Sequence, residues 1–318
     1  MKSRTSKIQL AALVAAVAAT VLFGGCDKGS DNAVDNTPVP VSIISTINAM
    51  PARAVGTTWG AEDSVGITMS SAAGVAIYTN VKYVTPQGDG VFWAADTENE
   101  IYFQNKELMD FTAYYPYTDS HDTEADILTA KTSDQTAAGQ ARYDFLFAQA
   151  RGSAGVPAVK FTFRHCMSRI VLNFVPGDGV NKLEDIAYKL AAIYMNGSFN
   201  TATGEARVEK KESQDYSSNV DYHAAGMSAS LIVFPQEEAR AGGISLTVTM
   251  EGIEYATTIR YPENPENHNV RELLPEHSYI YNVKLNRTGL TVEAPSIVGW
   301  ESGNGADGEE VPANQQSK

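Results

Sequence analysis

Residues Ile244-Ser-Leu-Thr-Val-Thr-Met250 alternate apolar and hydroxyl-bearing side chains without a fault, between Gly242-Gly243 and Gly252. Successive side chains of a strand point to opposite faces, so this row is a β-strand with one face toward a core and one toward water. Val159-Lys-Phe-Thr-Phe163 repeats the pattern, with Lys160, Thr162 and Arg164 on the wet side. Ile101–Phe103, Phe111–Tyr117, Tyr143–Ala148, Leu231–Phe234, Tyr255–Tyr261 and Tyr279–Leu285 read alike. Turn chemistry separates them, at Gln87-Gly-Asp-Gly90, Pro176-Gly-Asp-Gly179, Asn196-Gly197 and Asn264-Pro265. Many short strands between frequent turns predict an all-β chain built of sandwiches. The 15 Tyr, 11 Phe and 3 Trp suit pleated sheets.

Several local readings qualify this picture. Phe161, Phe163, His165 and Met167 share one parity while Ile170, Leu172 and Phe174 take the other, which predicts a bulge near Ser168-Arg169. His165 and Cys166 beside it read as structural. Val180–Ile193 fits a helix through Leu183, Ile186, Ala187, Leu190 and Ile193, but alternation from Ile186 onward and Gly197 beyond favour a strand. The small-residue stretch Arg151–Pro157 is the expected joint between an N-terminal sandwich over 39–151 and a C-terminal one over 152–318. Ser120–Ala141 and Pro262–Pro275 read as surface loops.

The chain has 318 residues, enough for two domains of about 150 residues each. Apolar residues make up 43%, so a real core can form. Three of the 24 basic residues, Lys2, Arg4 and Lys7, fall in the first 25, leaving 21 to face all 38 acids. A phosphate backbone would be repelled by that surface, so nucleic acid is no partner. Two cysteines cannot make a disulfide framework.

Residues 1–25 form an address: a basic start, an apolar run of 16 from Ile8 to Phe23, then Gly24-Gly25 before Cys26. That run is short of the ~20 residues of a spanning helix. Cys26 in this setting resembles the lipobox of bacterial lipoproteins, with Phe23 standing where Leu is usual. Residues 26–38 then read as a polar tether.

Familiar chemical motifs fail here. Gly303-Asn-Gly-Ala-Asp-Gly308 spells a dinucleotide-binding loop, yet no helix can follow it within the ten residues that remain. The histidines at 121, 165, 223, 268 and 277 lack metal-ligand spacing, and His121–Asp126 lacks that of a calcium loop. No nucleophile motif occurs. The expectation is a non-enzyme without cofactor or metal.

The segment after the tether stands out. Val39, Val41, Ile43 and Ile47 share one parity, with Ser45 among them, and the small-residue stretch Ala49–Gly56 follows with one basic residue, Arg53. Val39–Ile47 is either simply the first strand of the first domain or a strand that leaves after cleavage at Arg53. In the second case its groove would be filled by another molecule's strand.

Taken together, seven stretches resemble the fimbrillin-like (Mfa-like) lipoproteins of Bacteroidetes, subunits of type V pili. They are Thr58–Ile67, Phe111–Tyr117, Val159–Asn173, Ser198–Gly204, Val233–Gln236, Tyr281–Arg287 and Ile297–Trp300. The resemblance implies two consecutive transthyretin-like β-sandwiches. It implies export as a lipoprotein acylated at Cys26, display at the outer membrane, and cleavage of the Arg53-Ala54 bond by an arginine-specific protease. Polymerisation with other fimbrial subunits would follow, the strand at Val39, Val41, Ile43 and Ile47 being displaced. Thr291–Val298, or the tail beyond, would be the donor. The family also contains anchor and tip subunits. Asp63-Ser-Val65 resembles a bacterial O-glycosylation sequon centred on Ser64, and reads equally as a hairpin entry. The competing reading of the whole is a monomeric surface lipoprotein that binds glycan or protein, with Tyr114-Tyr115-Pro-Tyr117 as a stacking platform.

Overall fold

The structure is a computed structural model that describes residues 37–48, 58–119, 126–210, 213–223, 226–239 and 243–300. It is all-β, as expected. The first ten strands are β1 Val39–Pro40, β2 Ser42–Ile47, β3 Asp63–Ser71, β4 Ala76–Thr85, β5 Val91–Ala94, β6 Tyr102–Phe103, β7 Met109–Tyr115, β8 Ile127–Lys131, β9 Leu146–Gly152 and β10 Ala158–His165. Next come β11 Ser168–Pro176, β12 Ala187–Ile193, β13 Asn196–Asn200, β14 Glu205–Val208, β15 Gln214–Asn219, β16 Asp221–His223 and β17 Gly226–Val233. The last are β18 Gln236–Glu237, β19 Ile244–Met250, β20 Ile253–Ile259, β21 Glu272–Leu273, β22 His277–Asn286, β23 Gly289–Val292 and β24 Ser296–Gly299.

Seven strands of the first part close into a ring in the order β10-β2-β5-β4-β3-β7-β9. Its core is Val41, Ile43, Val65, Ile67, Phe92, Phe111, Phe161, Phe163 and their neighbours, each supplied by strand alternation. The second part packs β16-β17-β11-β22-β23, with β24 beside β22, against β15-β12-β19-β20. Ile170, Leu172, Tyr279, Tyr281, Leu190, Leu246 and Val248 fill the space between these sheets. The alternation of Ile244–Met250 appears as β19, buried at every second residue.

Two local expectations are corrected. Arg151–Pro157 is not a linker: it ends β9 and turns through a Ser153–Val156 bridge into β10, and both strands belong to the ring. The change of parity after Met167 is not a bulge within one sheet either. Cys166 and Met167 lie between β10, which pairs with β2 and β9, and β11, which pairs with β17 and β22. The buried face flips because the chain has changed cores.

A third apolar cluster ties the two parts together, drawing Tyr114, Phe145 and Phe147 from one and Phe199, Ile232 and Phe234 from the other. Phe145 stacks on Phe199 with ring centres 4.6 Å apart. The stretch Ser120–Ala141, read as a loop, contains β8, which crosses to pair with β13, and a one-turn helix, Ala137–Gln140. Gln135 imitates a strand residue there: its amide donates to the Ile232 carbonyl (2.8 Å) and accepts from the Ile232 N–H (2.9 Å).

Candidate functional site

The candidate site is the seat of β2. This strand pairs in parallel with β10, from Ser42 opposite Ala158 to Ile47 opposite Phe163. On its other side only Ile43–Phe92 and Ile44–Val91 pair with β5, antiparallel. Backbone bonds extend both seams: Ser45 N–H donates to Gly90 O (2.8 Å) and Asn48 N–H to Phe163 O (2.6 Å). Just upstream, β1 pairs with β6, and Val41 N–H donates to Ile101 O at 3.0 Å. The Ile101 N–H in turn donates to the Tyr83 phenol oxygen at 3.0 Å. Burial pushes that phenol up to about 12.

Alternation decides what β2 buries. Val41, Ile43, Ser45 and Ile47 face inward and are buried, Val39 is half-buried, and Ser42, Ile44 and Thr46 face out. Below them Trp59 meets Phe92, Tyr115 and Phe163 edge-on, with ring centres 5.1–5.5 Å apart. Gly90, at φ +80°, lies so close to β2 that a Cβ there would stand 2.3 Å from the Ser45 carbonyl oxygen. Nothing in the sequence pointed to Trp59 or Gly90 as parts of this seat. The Gly-Asp-Gly turn signalled Gly90 only as a turn residue.

The sequence model of the fimbrillin-like family matches residues 52–300. The chain belongs to that fimbrillin-like family. A candidate fimbrium subunit of Bacteroides uniformis, Fim1C, is 28% identical over 304 residues, covering 92% of this chain and 96% of the relative. The crystal structure of a candidate cell adhesion protein from Bacteroides ovatus superimposes with a TM-score of 0.72 at 30% identity, over 84% of this chain and all of the other. A second such protein, from Bacteroides uniformis, gives 0.66 at 24% identity, over 86% of this chain and all of its own, and shares the fold. Membership makes this a protein of a fimbrial subunit family, whose setting is a cell-surface appendage.

The fimbrillin-like chain brings only some of the sequence-predicted residues together. Cys26, Arg53 and Ala54 lie outside the described residues. The apolar row of the first strand is in the ring core. Ser64 is half-buried on β3, opposite Val84. The carboxylate of Asp63 beside it accepts from Gly60 N–H (2.7 Å) and the Tyr115 hydroxyl (3.1 Å), so that aspartate already has a structural task. Thr291–Val298 divides between β23 and β24, both of which line one edge of β22. Two of the tyrosine run are tied inward, the Tyr114 hydroxyl donating to Asn80 (2.8 Å) and the Tyr115 hydroxyl to Asp63, while the Tyr117 hydroxyl donates to its near neighbour Asp119 (2.5 Å) in an exposed hydrogen bond. His165 is buried, with Nδ1 2.8 Å from Asp144, and stacks on Trp300 with ring centres 4.6 Å apart. Burial pushes the Cys166 thiol up to about 12, leaving it unionised and inert at neutral pH.

Proposed function

We propose that this fimbrillin-like chain is a subunit of a surface fimbria that polymerises by strand exchange. It is exported as a lipoprotein acylated at Cys26, held at the outer membrane, and cut at Arg53-Ala54 by an arginine-specific protease. β2 then leaves its seat, and a strand of another subunit enters. Two consecutive transthyretin-like domains and a donor drawn from Thr291–Val298 belong to the same reading.

One observation carries it: β2 closes a ring. Withdrawing one strand from a ring leaves the remaining six connected as a single open sheet, β5-β4-β3-β7-β9-β10, with two bare edges facing one gap. Each edge then presents unpaired N–H and C=O groups, the template for β-augmentation. Val41, Ile43 and Ile47 gain a gross ~5–9 kcal/mol from this seat, at about 1.5–3 kcal/mol each, and a donor strand with comparable inward side chains would gain as much. A head-to-tail contact of this kind does not close on itself and makes a filament.

The test is limited digestion with a trypsin-like protease, followed by unboiled gels and electron microscopy. Ladders and filaments in the wild type that vanish in Arg53→Ala support the proposal. A cleaved protein that stays monomeric at high concentration refutes it and favours the monomeric binding module.

A further inference from the structure

The inward row from Val41 through β2 is Val41, Ile43, Ser45 and Ile47, so one of its four core positions carries a hydroxyl. Among the described residues six serine or threonine side chains are buried. Five have hydrogen-bond partners. Thr85 Oγ1 donates to Asp89 (3.3 Å), Thr132 Oγ1 to Met195 O (3.3 Å), Thr201 Oγ1 to Asp126 O (3.2 Å) and Ser168 Oγ to Leu274 O (2.8 Å), and Ser278 Oγ accepts from Arg169 Nε (2.8 Å). The sixth is Ser45, whose Oγ is buried without a partner among the described residues. Its backbone is well used, with the N–H bonded to Gly90 O. The hydroxyl faces the ring core, which holds Phe92, Phe161, Phe163 and Trp59, and the Trp59 Nε1 is likewise buried without a partner among the described residues.

We infer that Ser45 is a built-in weak point of the resident strand, and that the strand that replaces β2 carries an apolar side chain at this register. The inference rests on the strand-exchange reading. Exchange is favoured when the newcomer binds the same seat more tightly than the cleaved occupant does. A desolvated hydroxyl with no partner penalises the occupant at a position where an aliphatic side chain would gain. The other three inward residues already match the core, so Ser45 is where an incoming strand can do better.

The experiment compares Ser45→Val with Ser45→Thr in the full chain, since the two side chains share a shape and differ by the hydroxyl. Ser45→Ala, which adds no bulk, guards against overpacking. Each is cut with the trypsin-like protease, and the rate at which the N-terminal fragment leaves the folded body is followed by gel filtration. The expected result is release from Ser45→Val roughly tenfold slower than from Ser45→Thr, equivalent to about 1.4 kcal/mol. Slower release from Ser45→Ala than from wild type is expected too, with melting midpoints of the uncut Val and Ala variants raised by a few degrees. Equal release from Val and Thr, with Ala no slower than wild type, overturns the inference while leaving strand exchange standing. Raised midpoints with no fragment leaving any variant, wild type included, would do the reverse: the weak point holds and the exchange reading falls.

Discussion

Ile43 and Ile44 are neighbours on one strand with the same side chain, so truncating each in turn isolates what the ring contributes. Ile43 is 1% exposed, between Val159 on β10 and Phe92 on β5, whereas Ile44 is 39% exposed, between Lys160 and Val91. Ile43→Ala removes three carbons from a closed core, at about 0.8 kcal/mol each, and leaves a cavity that water cannot usefully fill. The expected loss is about 3–4 kcal/mol. Ile44→Ala leaves no cavity, because solvent already reaches the site, and loses only cross-strand contact and β-propensity, about 0.5–1 kcal/mol. Equilibrium urea unfolding followed by tryptophan fluorescence, with Trp59 reporting from beneath the strand, measures both, and equal slopes license comparison of midpoints. A gap of about 2–3 kcal/mol is expected. Losses equal within about 0.5 kcal/mol would show that β2 is not seated in the ring core, and the argument for a vacated, reusable groove would fall with it.

Two further predictions concern the seat and the buried acids. Gly90→Ala places a Cβ 2.3 Å from a backbone carbonyl that cannot swing aside, at φ +80°. It is expected to cost more than about 2 kcal/mol and to speed hydrogen exchange at the Ser45 N–H, while Gly74→Ala, at φ +78° in open space, costs only the ~1–2 kcal/mol of a left-handed residue. Equal losses, or unchanged exchange at Ser45, would refute the close approach of turn and strand. Burial raises Cys166 from 9.0, and Tyr83, Tyr114 and Tyr279 from 10.0, up to about 12. The folded chain therefore holds these protons longer than the unfolded chain, so their contribution is complete below the unfolded values and is lost as pH climbs toward 12. Tyrosinate absorbance and circular dichroism followed together should show late phenol ionisation coinciding with unfolding; full ionisation near pH 10 with the fold intact would refute it.

What the sequence reveals follows from the range of the interaction. Alternation is local, and it marks β2, β10, β19 and β22 because the same residues that alternate are the buried ones. β8 escapes because its apolar signal is Leu128 and Ala130 inside a polar stretch, and its reason to be a strand lies in β13, far along the chain. The flip after Met167 is visible in the residues, but one strand with a bulge and two strands serving different cores write the same parity change. For the site, the row Val41, Ile43, Ile47 is legible, while the parallel partner β10 and the turn at Gly90 that complete its seat are not. Strand partners separated by more than a hundred residues leave no mark in a single sequence. A buried hydroxyl does show as a break in the row at Ser45, though whether it is satisfied depends on what surrounds it.

A strand held on both sides looks at first like a poor candidate for removal. The ring changes that judgement. Any one of its seven strands could be withdrawn and the other six would remain one sheet, so what singles out β2 is its place in the chain. β3, β4, β5, β7 and β9 each lie between ring strands on both sides in the chain, and β10 carries the whole second part behind it. Freeing any of the first five takes two cuts, and freeing β10 severs the second part. Among the described residues β2 is preceded only by the two-residue β1 and followed by 49–57, where Arg53 lies, so a single cut there releases it without dividing the remaining body. The seams are unequal as well: six residue pairs hold β2 to β10 and two hold it to β5. If β2 leaves as proposed, opening is expected to begin on the β5 side, next to Gly90 and Ser45.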